Sequence, residues 1–443
     1  MIQHLTWEEW ESFLRGQLPS QRKTEMLQHL VAGCCECRKV AGRGFYFGQG
    51  ILAREEDYDE VTELAIAEAL RVERRRRDLE QRDRALALLA TGDGLSALIG
   101  KGNMPLEGLG VMEALLERCW AVRHDSPKEM KQLAYGAVQA ALSLAAKEYG
   151  EQRVMDYKAE AYGQLGNALR VSEEYDEAAR QFGNAFRCQR QGTGDELLKA
   201  RLHDLHASLL GTLRKYEHAI YALEVVYEIY LTKGDLHLAG RTLITKAVYV
   251  FYNGRAEEAL KINHKGRIMI DPQRDSEPLV TALHNDLLFL EGCGRFSEAK
   301  NLLFKNRDIL SRTGKITRLK LRWAEARIEL AMDNLISAEQ GFIEVREGMI
   351  AASLGFNASL ASLELALTWM RQGRAEETEE IVYEAAEHFY SLGLHLEVLG
   401  AVQLLVDAFQ FKKASVPLMQ RTVSFIREWE INPDARFLPN PDA

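Results

Sequence analysis

The strongest constraint on the fold is an internal repeat with a period of roughly 40 residues, the length of one helix pair. The segment AEAYGQLGNALRVSEEYDEAARQFGNAF, residues 159–186, has Tyr162, Leu165, Gly166 and Ala168 at helical spacing. A short polar break follows, then Tyr175, Ala178, Phe182 and Ala185. Small residues at Gly166 and Ala178 suit two antiparallel helices in close approach, and the large ones fill the space around the contact. Ala178 then recurs at nearly constant spacing as Ala219, Ala259, Ala299, Ala338 and finally Thr378. The earlier small residue recurs in phase as Gly166, Ala207, Ala247, Ala326 and Ala366, with Leu287 as the exception. A chain with this period builds one helix pair per repeat and stacks them.

The segment 159–186 resembles the tetratricopeptide repeat, and the later units match it more loosely. The period exceeds the usual length of about 34 residues, so each helix is expected to be longer. In this the chain is similar to the long-period repeats of bacterial signalling proteins. Upstream, residues 107–124 and 126–150 read as another pair, with Ser126-Pro127-Lys128-Glu129 opening its second helix as a capping box with proline at the first helical position. Downstream, 395–411 and 416–430 read as a closing pair. The predicted fold is all-α: a small helical domain over 1–48, a helical connector and hinge over 49–106, a right-handed α-solenoid of tetratricopeptide-like pairs over 107–432, and a tail over 433–443. The connector ends in a glycine-rich stretch that reads as a hinge or loop. Only nine prolines occur, three of them in the last eleven positions, in keeping with long helices.

Chemistry concentrates near the N-terminus. A helix through Trp7–Phe13, with an apolar stripe of Trp7, Trp10 and Leu14, is followed by the break Gly16-Gln17-Leu18-Pro19-Ser20. A second helix through Met26 and Leu27 ends near Gly33. His29, Cys34 and Cys37 form His-x4-Cys-x2-Cys, and His4 stands well upstream of them, ahead of the first helix. Two imidazoles and two thiolates make the closed tetrahedral set of structural zinc. If His4 is solvated instead, water or Cys35 is the fourth ligand. Cys35 is otherwise a bystander, or a resolving thiol in a redox switch. So short a domain offers little core, and a metal would help it fold.

This segment resembles the zinc-binding anti-sigma factor fold, whose pattern is a first His, some two dozen intervening positions, then His-x3-Cys-x2-Cys. The helix, Leu-Pro-Ser, helix order matches as well. The resemblance implies one zinc held by His4, His29, Cys34 and Cys37, and a sigma factor as partner of this domain. The one extra residue before Cys34 departs from the pattern, and Gly33 is placed to absorb it.

Several function classes are disfavoured. The chain has no glycine-rich phosphate loop, no G-x-S-x-G and no H-E-x-x-H, so no enzyme is expected. His203 and His206 read as surface or packing residues, and Trp323 and Trp369 as repeat core. A net charge of −9 disfavours nucleic acid, and the Arg74–Arg77 run, flanked by acids, reads as a solvated helix face. No apolar stretch reaches membrane-spanning length and no secretory signal is seen, so a cytoplasmic protein is expected. By analogy with tetratricopeptide repeats, the first helix of each pair lines a concave groove for a protein or peptide. Its inward positions map to Asn167, Arg170, Arg201, His284 and Arg327, which can hold an extended peptide or be solvated. Two expectations result: a cytoplasmic anti-sigma-like regulator with a repeat-array sensor, or a scaffold or peptide receptor whose zinc module is only structural.

Overall fold

The computed structural model describes residues 4–44, 55–90, 96, 98, 105–123, 126–311, 314–392, 396–431 and 435–438. Among them are 22 helices and no strand. None of these helices is long and apolar enough to cross a membrane. The chain divides into two compact units, Met1–Glu173 and Glu174–Ala443, a division inside the segment read as the repeat array.

The first unit begins with α1 (Trp7–Leu14), α2 (Ser20–Val31) and α3 (Cys35–Gly44). Thr6 and Glu9 close a capping box at the start of α1, each side chain taking the other's backbone N–H. The expected apolar stripe is corrected: Trp10 is buried, whereas Trp7 and Leu14 are exposed, and Phe13 packs with Trp10 instead. Next comes α4 (Glu55–Leu89), one helix of 35 residues. It is more than a connector. Its Ile66 joins the core of Leu5, Trp10, Leu27 and Leu30, with Ala69 and Leu70 packed alongside.

Further along, α4 packs against α5 (Leu109–Ala121). The crossing is so tight that a Cβ on Gly110 would lie 2.1 Å from the carbonyl oxygen of Asp78. The stack continues with α6 (Pro127–Leu142), α7 (Ala146–Tyr149) and α8 (Glu151–Val171). Ser126 caps α6 and Pro127 opens it, but the helix stops at Leu142 rather than running to residue 150. Within the basic run, Arg75 pairs with Glu113 at 2.8 Å, Arg76 with Glu73 and Glu80 at 2.6 Å each, and Arg77 with Glu148 at 3.5 Å. Arg74 sits over the Tyr149 ring. The expected hinge spans residues 90–108, of which 91–95, 97 and 99–104 lie outside the described residues.

The second unit holds α9 (Tyr175–Gln191), α10 (Glu196–Thr212), α11 (Tyr216–Thr232), α12 (Leu236–Tyr252), α13 (Ala256–Ile268) and α14 (Glu277–Gly292). Then come α15 (Phe296–Lys305), α16 (Arg307–Ser311), α17 (Lys315–Ala331), α18 (Leu335–Ala351), α19 (Gly355–Arg371), α20 (Ala375–Ser391), α21 (Leu396–Gln410) and α22 (Val416–Ile431). The period has a simple origin. Helices α10, α11 and α12 are 17 residues each, joined by turns at 213–215 and 233–235. Two such helices and two three-residue turns account for one full repeat. Ala219, Ala259, Ala299 and Ala338 are fully buried, as is Thr378. The pair with Leu287 in the small-residue slot is the irregular one. Its second helix stops at Lys305 and restarts at Arg307.

The turn inside each pair is also periodic. A residue with positive φ recurs as Glu173, Arg214, Gly254, Gly294, Asp333, Gly373 and Lys412. The first six each stand five positions before the buried small residue. At Arg214 the N–H bonds the Gly211 carbonyl at 3.0 Å and that of Lys215 the Leu210 carbonyl at 2.8 Å. This is the Schellman closure of a helix.

Candidate metal centre and first-helix face

The four sequence-predicted ligands meet. One nitrogen from each of His4 and His29 and the sulfurs of Cys34 and Cys37 all lie within 4.8 Å of one another. The Nδ1 of His4 is 3.3 Å from the Cys34 sulfur and 3.7 Å from that of Cys37, and the Nδ1 of His29 is 3.3 Å from Cys37. In a tetrahedron with ordinary zinc bonds, nitrogen and sulfur stand about 3.6 Å apart. The donor set is borderline-soft nitrogen and sulfur with no carboxylate in the cluster.

Local structure explains how each donor arrives. His4 precedes the capped start of α1, and its neighbour Leu5 is buried in the core. His29 is in the last turn of α2. Gly33 then takes φ +85°, with Gly33 N–H on the Leu30 carbonyl at 3.0 Å and Cys34 N–H on that of His29 at 3.4 Å. This Schellman turn absorbs the extra residue of His-x4-Cys. Cys34 accordingly stands at the start of α3 and Cys37 in its first turn.

The two thiols differ. The hydrogen bond from the Cys37 backbone, with help from the Cys37 side chain, His4 and the Glu36 backbone, holds Cys34 below the usual thiol range. Burial pushes Cys37 up, against the pull of the Leu5 N–H bond. Cys35 is exposed and outside the cluster; its thiol bonds the Glu36 carboxylate at 3.9 Å.

The five groove candidates fall in both units and are described unit by unit. In the first, Asn167 is buried and accepts from the Arg170 guanidinium at 3.0 Å. In the second, Arg201 is exposed. The Nδ1 of His284 is buried with no hydrogen-bond partner among the described residues, and burial, with the charges of Lys320 and Arg327, lowers its pKa. Arg327 pairs with Glu291 at 3.0 Å and lies over Trp323. His203 and His206 pack on Phe186 at 5.0 and 5.3 Å, in keeping with packing roles.

Sequence reasoning missed the acidic half of this face. Glu291 on α14 and Glu364 on α19 are both buried, with side chains 8% and 2% exposed. Burial opposes ionisation of Glu291, but Arg327 and Arg427 together hold it below the usual range. Burial raises Glu364 despite both arginines and the Trp323 indole N–H that donates to it. A single acid inside an apolar helix pattern, at Glu364 in SLELAL, was the available signal.

Fold and site together define a helical-repeat protein with an N-terminal His2Cys2 cluster. No family model and no curated protein matches the chain. Among solved structures it is similar to aspartyl phosphate phosphatase F from Bacillus subtilis, at 13% identity and a TM-score of 0.49, over 87% of this chain and 94% of that one. It is also similar to a signal transduction ATPase with numerous domains carrying a tetratricopeptide repeat sensor, from Pyrococcus horikoshii. There the identity is 13% and the TM-score 0.46, over 93% of this chain and 72% of that one.

Proposed function

We propose that the chain is a non-enzymatic, cytoplasmic regulator that binds other proteins, with one structural zinc in its N-terminal module and a docking face on its repeats. The observation that carries this reading is the convergence of His4, His29, Cys34 and Cys37 within 4.8 Å. Four protein donors leave no open coordination position, which favours a structural over a catalytic metal. When bound, the zinc would cross-link the segment before α1, the end of α2 and the start of α3. The residues themselves position the donors and exclude water around Cys37.

The ligand pattern and helix order also support an anti-sigma role, with a sigma factor held by the N-terminal helices and the repeats as sensor. A second reading, in which the module only caps the repeats, is favoured by Ile66, whose burial makes the module's core continuous with α4. Reconstituted transcription with an extracytoplasmic-function sigma factor from the native host separates them. Repression by the full chain, lost on stripping the zinc, supports the anti-sigma reading. No repression and no complex with any host sigma factor leaves the capping role. Less than about one zinc per purified chain overturns the metal assignment.

A further inference from the structure

The last helix does not simply close the array. Besides its sequence neighbour α21, α22 packs against α19, the first helix of the preceding pair. Met419, Thr422, Val423, Phe425 and Ile426 are buried. From the same helix Arg427 reaches the Glu291 carboxylate, 136 residues away in sequence, and comes to 4.0 Å of Glu364. The closing pair read from the sequence is present as α21 and α22, and α22 in addition lies against α19.

The charges show what that face is built to receive. Glu291 and Glu364 are two buried carboxylates, and among the described residues the preceding repeats pair Glu291 with Arg327. Arg427 joins Arg327 on the Glu291 carboxylate, and a carboxylate so deeply placed is costly in a medium of low dielectric unless it is paired and hydrogen-bonded. Space remains on either side. A cavity of about 420 Å³, lined by Tyr216, Tyr249, Lys320 and Trp323, and another of about 650 Å³, lined by Phe251, Leu288 and Phe296, both include Arg327 and Arg427 in their walls.

We infer that the first-helix face between α14 and α19 is a docking site for an amphipathic helix that presents an arginine, with α22 as its resident occupant and a partner helix of the same pattern replacing it. The pattern is read from Met419, Val423, Ile426 and Arg427: apolar residues eight, four and one position before the arginine. Such a helix lays one stripe into a groove, and its guanidinium meets carboxylates in fixed geometry. The inference rests on the reading of the repeats as a docking surface, but its test is independent of the metal and of any sigma factor.

The test titrates a fluorescent peptide of residues 416–431 into the full chain and into its Arg427→Ala variant, read by anisotropy. In the variant the resident helix has lost its anchor, so the peptide binds at least about tenfold more tightly than to the unaltered chain. A peptide carrying Arg427→Ala binds neither. Equal affinity for both chains, binding to neither, or equal binding by the altered peptide overturns the inference. If circular dichroism shows that R427A does not fold, R427K serves the same comparison, because it keeps the charge and loses the planar fork.

Discussion

The backbone N–H of Leu5 donates to the sulfur of Cys37 across 3.2 Å. This bond ties the stretch of chain that carries His4 to the thiol that α3 carries, so two donors from distant positions are held in register before any metal enters. Such outer contacts orient ligands and tune their basicity. Cys37 is also 1% exposed and part of the core, whereas Cys34 is half-buried. Serine at either position is expected to abolish metal binding. Cys37→Ser should also loosen residues 4–44 more than Cys34→Ser, as read by hydrogen exchange; equal effects would deny Cys37 its packing role.

Gly33→Ala tests the turn between two of the donors. Nothing lies within 4 Å of a Cβ placed there, so no clash is expected. The cost is the backbone alone: at φ +85° an alanine is disfavoured by about 1–2 kcal/mol. Zinc affinity, measured by chelator competition, should fall by about one order of magnitude, and the Gly33→Asn variant should recover part of it.

The repeating turns offer the opposite experiment. Glu173 and Lys412 hold φ of 63° and 54° and are exposed. Glycine at either position removes the left-handed penalty and should stabilise its unit by about 1 kcal/mol. Each variant should show a higher urea denaturation midpoint than the unaltered chain. A decrease in either denaturation midpoint would mean that the side chain makes a contact worth more than the strain.

Much of this architecture was legible because it is periodic. Ala219, Ala259 and Ala299 announce the helix crossings, since only a small residue fits where two helices touch. Three of the four candidate donors were legible because the spacing in His-x4-Cys-x2-Cys is local, whereas His4 lies outside it, well upstream of His29. The positive-φ series was harder to see, because Glu, Arg, Asp and Lys fill a position usually given to glycine. The tight seat of α4 on α5 at Gly110 was hidden by the charged surface of α4, whose Arg75, Arg76 and Arg77 stay exposed even where they pair with carboxylates. The fold-back of α22 was not legible at all. It depends on Arg427 meeting Glu291, and no local pattern links residues that far apart.

His206 should make the second unit sensitive to mild acid. Burial, with the charges of His203 and Lys215, pushes it down to about 4. An unfolded histidine titrates near 6.5. Between those values the unfolded chain binds a proton that the folded chain refuses, so stability falls as pH drops through about 6.5 and the loss is complete near 4. The ring keeps some solvent contact, so the expected loss is about 1–2 kcal/mol. His206→Phe, which can pack on Phe182 and Phe186, should flatten that part of the urea midpoint against pH. An unchanged slope would assign the dependence to other groups.

Arg327 joins the two questions of stability and binding. As a groove residue it would be removable without cost, but it holds Glu291 at 3.0 Å against a side chain only 8% exposed. Arg327→Ala leaves that carboxylate to the guanidinium of Arg427. Breaking a buried pair in this way typically costs about 3–5 kcal/mol, whereas Arg201→Ala, on an exposed side chain, should stay within about 0.5 kcal/mol. Adding Glu291→Gln to R327A removes the stranded charge and should return part of the loss. A double-mutant cycle by urea denaturation measures this coupling. A cycle that sums to zero would show that Arg327 and Glu291 are neighbours without being partners, and would leave the guanidinium available to whatever docks on the face.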